Sequence, residues 1–160
     1  MSSTKAKPKV IKVDREELVR FIKATVDKMK YGLGDKIDLS TPYDKLPGDS
    51  IDCSGYVRLA MYKITHGEVK MKDGSANQND WCRDQGFKKT DYTNAALSDD
   101  RIRIAFIRPP SSKRHVWMIV NGKTIESCGG HGPTRRDWNT KVLIENVTDC
   151  YVLTDPMNQK

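Results

Sequence analysis

The residues Asp52-Cys53-Ser54-Gly55-Tyr56-Val57 place a cysteine where turn chemistry (Pro47, Gly48, Asp49, Ser50) gives way to an apolar pattern of helical spacing. Val57, Ala60, Met61 and Ile64 mark one face of that helix, and Gly67 is a natural stop. At a helix start the backbone N–H groups lack intrahelical acceptors and the macrodipole is positive, so a thiolate is stabilised there. Cys53 is therefore a candidate nucleophile. The plain structural alternative is a small buried hydrophobe near a helix end.

A cysteine nucleophile needs a base, and the chain has three histidines. His66 falls at the far end of the Cys53 helix, about 20 Å away at 1.5 Å per residue. His115 opens an apolar strand, where a sheet can hold an imidazole against a helix N-terminus. His131, in a Gly-Gly-His-Gly-Pro loop, is the second candidate. A satisfied surface or core histidine is the alternative for either.

Around His115 the local signal is strong: His115 to Val120, then Asn121-Gly122, then Lys123 to Ser127 read as two strands joined by a type I′ turn. That register sets Val120 opposite Lys123, Trp117 opposite Glu126 and His115 opposite Cys128. Glu126 and Cys128 then share the face of His115, and Ser127 points away. Glu126 is a diagonal neighbour of His115, about 7–8 Å off at the backbone, within range for its carboxylate to fix the ring's tautomer and stabilise the imidazolium. An ordinary solvated glutamate is the competing reading. Cys128 is a rival thiol that lacks the helix dipole.

Other elements must position these groups. Asp14 and Glu17 read as a capping box opening a helix, with Leu18, Phe21, Ile22, Val26 and Met29 as its stripe and Gly32 as its stop. Residues 31–50 form a long ordered loop, and 75–83 a short helix carrying Trp81. Arg101 to Ile107 alternates as a strand with one buried face, ended by Pro109-Pro110. Val142 to Val147 and Cys150 to Leu153 read as two closing strands. Helices followed by antiparallel strands make the fold class α+β.

With 160 residues, 37% hydrophobic and 31% charged, the chain reads as a flexible basic arm (1–12) followed by one catalytic domain (13–160). No apolar run exceeds Val116 to Val120, so no membrane span is expected. Residues 1–12 lack an apolar core, so a standard secretory signal is not expected either. The net charge of +7 implies attraction to polyanions, whether nucleic acid, anionic lipid or bacterial envelope polymers. Basic residues are neither concentrated on a helix nor interleaved with aromatics, so no specific nucleic acid is expected. Cys53, Cys82, Cys128 and Cys150 form no C-x-x-C pair, which argues against a structural metal, and no cofactor is called for. In a reducing compartment all four stay free thiols; in an oxidising one two could pair.

Asp-Cys-Ser-Gly-Tyr-Val opening a helix, His-Val opening a strand and a polar residue on the next strand together resemble the NlpC-type family of papain-like cell-wall cysteine peptidases. The resemblance spans about 31–153. It implies Cys53 as nucleophile, His115 as base and Glu126 in the third polar position, often histidine in that family. It implies that Asp52 and Ser54 help hold the peptide, and that the Cys53 N–H donates to the oxyanion. Tyr31-Gly32-Leu33-Gly34 resembles the family's tyrosine segment, so Tyr31 is the oxyanion-assisting candidate and Tyr43 its alternative. Trp117 stands where the family commonly has glycine. The implied function is a cysteine amidase or endopeptidase that cuts peptidoglycan stem peptides through a thioester. Its setting would be a phage lysis (endolysin) or tail enzyme, or an effector delivered by a secretion apparatus, made in the cytoplasm and acting at the envelope. An acyltransferase or deamidase on the same fold, and a non-enzymatic envelope or nucleic-acid-binding module, are the alternatives.

Overall fold

The computed structural model describes residues 7–95, 99–108 and 114–157. Asn121 and Gly122 take left-handed backbone angles, φ 55° and 74°, as a type I′ turn requires. They join β3 (His115–Val120) to β4 (Lys123–Cys128), with Val120 opposite Lys123, Ile119 opposite Thr124 and Met118 opposite Ile125. β2 (Arg103–Ile107) lies beside β3, and β6 (Asp149–Val152) beside β2. The short strands β1 (Lys88–Lys89) and β5 (Gly132–Thr134) form the edges of an antiparallel sheet in the order β1-β6-β2-β3-β4-β5. With helices ahead of this sheet, the fold is α+β.

α1 (Arg15–Thr25) packs on α2 (Cys53–Ile64), and α2 packs on β3 and β4. Tyr56, Val57, Met61 and Ile64 bury against Met118, Val120 and Ile125, and Phe21 meets Tyr56 with ring centroids 5.0 Å apart. On the other sheet face, Tyr92 of α4 (Tyr92–Ala95) and Leu143 of α5 (Lys141–Asn146) cluster with Trp138 over Ala105, Ile107, Trp117 and Ile119. Every residue of β2 is therefore buried, and the expectation of one buried face is corrected: both faces of this inner strand are covered.

Three further expectations change. The first helix ends at Thr25, well before Gly32. Asp27 adopts φ 61° and donates its N–H to Pro133 O at 3.0 Å, which draws the chain toward β5 and out of the helix. The strand expected over 142–147 is helix α5, because Leu143 and Val147, four apart, pack together on one cluster while Val142 and Ile144 stay exposed. The helix expected over 75–83 is α3 (Ser75–Gln85), ending at left-handed Gly86. The 31–50 loop is pinned at its root by a bridge between Lys30 and Ser50 and holds one 3-10 turn, Tyr43–Lys45. Within the segment read as a basic arm, Lys9 N–H donates to Gly86 O and Ile11 N–H to Leu153 O. Pro109-Pro110 lies outside the described residues.

Candidate active site

Cys53 is the first residue of α2, half-buried, directly after its cap. Asp52 Oδ1 accepts the Gly55 N–H at 2.8 Å. The carboxylate also receives Lys36 Nζ at 2.7 Å on each oxygen and the Gly34 N–H at 3.2 Å. Lys36 Nζ donates to Ser54 Oγ at 2.9 Å as well. Both residues flanking the thiol are thus buried and engaged by Lys36, a residue that no motif marks. Gly55 makes this possible, since a Cβ there would sit 2.8 Å from Asp52 Oδ1 and 3.1 Å from Lys36 Cδ. Gly55→Ala should therefore loosen the helix start and cost about 1–3 kcal/mol. At about 2–4 °C per kcal/mol for a chain of this size, a thermal melt reads the loss directly.

His115 begins β3, where its ring can reach past the end of the strand. Nε2 lies 2.7 Å from Glu126 Oε1, and Cys53 lies near enough to the ring to strengthen its hold on a proton. With Nε2 occupied by the carboxylate, Nδ1 is the nitrogen left for the thiol. Beneath the ring, Trp117 stacks at 5.3 Å between centroids and 21° between planes. Trp117 is fully buried and donates its indole N–H to Tyr92 Oη at 3.2 Å, so it serves as a fixed platform for the imidazole.

Burial alone would push the His115 imidazole down, but the hydrogen bonds to Cys53 and Glu126 outweigh it and raise it to about 9. Glu126 is fully buried, which by itself would raise its carboxyl group. Hydrogen bonds from Arg136 and then His115 hold it down at about 2. Arg136 Nε donates to Oε2 at 2.9 Å and a terminal N–H donates to Oε1 at 2.7 Å, a bidentate fork. Sequence reasoning missed Arg136 because it comes from the loop after β5, ten residues beyond Glu126. The Thr134-Arg135-Arg136 step beside an edge strand was its only signal.

The remaining candidates separate cleanly. Tyr31 is half-buried, and its hydroxyl is pushed up by burial first and then by the Cys53, Asp52 and Cys128 groups. Tyr43 donates instead to Glu17 Oε2 at 2.7 Å, with Lys63 over its ring, on the α1 side. His131 bonds Asp27 Oδ1 at 2.8 Å in an exposed pair. His66 sits in the Schellman motif that ends α2 and bonds Asp14 Oδ2. Ser127, on the opposite face from Glu126, donates to Ile51 O at 2.8 Å. Cys128 ends β4, its thiol pushed up by burial and by Glu126. All four cysteines are free.

Two solved structures share the architecture. One is an NlpC/P60 family protein from Bacillus cereus ATCC 10987, matched with a TM-score of 0.60 and 19% identity over 88% of this chain and 41% of that one. The fold is the NlpC/P60 fold. The second, from Staphylococcus aureus subsp. aureus Mu50 and described as similar to lipoprotein, NLP/P60 family, has a TM-score of 0.56 and 14% identity over 95% of this chain and 46% of that one. The chain spans less than half the length of either. No family model and no curated protein matches the sequence.

In this NlpC/P60 fold a helix start, a strand start and the next strand converge, which brings Cys53, His115 and Glu126 together. A cavity of about 620 Å³ lies elsewhere, along Lys88–Tyr92 and Val147–Cys150. Its lining includes neither Cys53 nor His115, and of its two aspartates, Asp91 and Asp149, the buried Asp149 is already bound by Lys89, Arg108 and Asn79. Among the described residues no group of His, Cys, Asp and Glu is arranged to hold a metal ion, and no helix is long and apolar enough to cross a membrane.

Proposed function

We propose that the chain is a cysteine amidase or endopeptidase that hydrolyses amide bonds of peptidoglycan stem peptides. The observation that carries this reading is the 2.7 Å pairing of His115 with buried Glu126, beside a cysteine that opens a helix, in an NlpC/P60 fold. In this mechanism the Cys53 thiolate attacks the amide carbonyl carbon. The tetrahedral oxyanion takes a hydrogen bond from the Cys53 N–H, which as a first-turn donor has no acceptor within the helix, and the Tyr31 hydroxyl is assigned the second. The His115 imidazolium gives its Nδ1 proton to the departing amine, and the C–N bond breaks to leave a thioester. His115, now neutral, takes a proton from water as the water attacks, releasing the acid and restoring the thiolate and imidazolium. Glu126 holds the ring's tautomer and its charge. Asp52 and Ser54, tied by Lys36, frame the peptide's approach rather than offering free acceptors to it.

The net positive charge favours the anionic wall, and delivery to the envelope by a phage particle or a secretion apparatus belongs to the same proposal. Incubation with purified muropeptides, with the products identified by mass, tests it. Cleaved stem peptides support it, transfer of an acyl group to an added amine points to an acyltransferase, and intact substrate with an unreactive thiol sinks the enzymatic reading.

The pH dependence follows from the histidine. Its proton, raised to about 9, is needed to expel the amine, so kcat/KM should fall as pH rises through about 9 rather than near the ordinary imidazole value. A rate profile from pH 6 to 10.5 on one muropeptide shows where that limb lies.

A further inference from the structure

Arg136 is fixed as firmly as the groups it serves. Its backbone N–H donates to Thr124 Oγ1 at 2.7 Å while the Thr124 N–H donates to Arg136 O at 2.7 Å. This reciprocal pair staples the loop to β4 two residues from Glu126. From there the guanidinium forks onto both Glu126 oxygens, and Oε1 is shared with His115 Nε2. Glu126 is completely buried, so no water balances its charge.

The consequence is a charge count. With Cys53 as thiolate, His115 as imidazolium, Glu126 as carboxylate and Arg136 as guanidinium, two anions meet two cations. Without Arg136, forming the thiolate leaves the set with a net negative charge in a partly dry site, and the thiol keeps its proton instead. The other charged and titratable neighbours do not compensate. Asp52 is neutralised by Lys36. Burial keeps Tyr31, Cys128, Tyr92 and Tyr56 protonated. Arg135 spends its donors on the carbonyls of Thr124 and Val120.

We propose that Arg136 is a positioning residue whose guanidinium, forked onto Glu126, balances the Cys53–His115–Glu126 set so that the thiolate–imidazolium pair is its resting form. The proposal rests on the cysteine-enzyme reading, but its test does not need the substrate.

The experiment is the rate of Cys53 alkylation by iodoacetamide against pH, with the labelled cysteine identified by mass, in the native chain and in folded Arg136→Gln, Arg136→Met and Arg136→Lys variants. Arg136→Gln and Arg136→Met should each move the alkylation midpoint up by about one pH unit or more, so that the rate near neutrality drops about tenfold or more. Arg136→Lys keeps the charge and should stay near the native profile. Should Arg136→Gln fail to fold, the Met and Lys variants decide. A native profile in the neutral variants, or a Lys variant shifted as far as they are, overturns the proposal. On a muropeptide, Arg136→Gln should lower kcat with KM nearly unchanged. Absence of turnover by the native chain would sink the substrate reading and leave the alkylation result standing.

Discussion

Cys53→Ala should abolish muropeptide turnover while the chain stays folded. The variant removes the proposed nucleophile at the start of α2, and the expected loss is on the order of the 10⁶ seen when a nucleophile is deleted from a working set. The volume lost is one sulfur atom in a half-buried position, so the thermal midpoint should move by a few degrees at most. Cys128→Ala is the informative control: that thiol also lies near Tyr31, but it ends a strand and burial keeps it protonated. Cys82 and Cys150 are buried with thiols pushed up by burial, and their alanine variants should turn over normally, with small losses of stability. Activity kept in Cys53→Ala and lost in Cys128→Ala would move the nucleophile to β4.

The second large effect lies at the base. His115→Ala should cost about 10²–10⁴ in turnover. The chain should still fold, because the Glu126 carboxylate left behind keeps both hydrogen bonds from Arg136. Glu126→Gln acts differently. An amide cannot accept on both sides from Arg136, so stability should fall, and the His115 imidazole loses its anionic partner and drops from about 9 toward its ordinary value. The alkaline limb of the rate profile should move down with it. Ser127→Ala, on the other face and bonded to Ile51 O, should leave that limb in place. His131→Ala should be mild, since its imidazole serves an exposed pair with Asp27. Equal, small losses in His115→Ala and His131→Ala would leave the chain without a base and favour a binding module.

Much of this arrangement is local, and local signals are legible. The Asp52 cap and the Val57, Ala60, Met61 and Ile64 spacing determine where α2 begins, because capping and amphipathic period act within a few residues. Asn121-Gly122 determines the β3–β4 register, because only residues tolerant of left-handed angles close a two-residue turn. From that register alone Glu126 falls on the face of His115, and the 2.7 Å hydrogen bond is its realised form.

Where the chain meets distant neighbours, period and propensity do not decide. Helix α1 stops at Thr25 because Asp27 bonds Pro133, more than a hundred residues away, and 142–147 coils because Leu143 and Val147 find one shared cluster. That Tyr43 and His131 each pair with a distant carboxylate, Glu17 and Asp27, depends on loops and helices being in place. Lys36 and Arg136 are the fullest case. The sequence by itself determined which residues could do the chemistry, through short-range caps, turns and alternation. Only the tertiary structure decided which cations neutralise the buried Asp52 and Glu126, because a buried charge takes its partner from whichever element lies beside it in space.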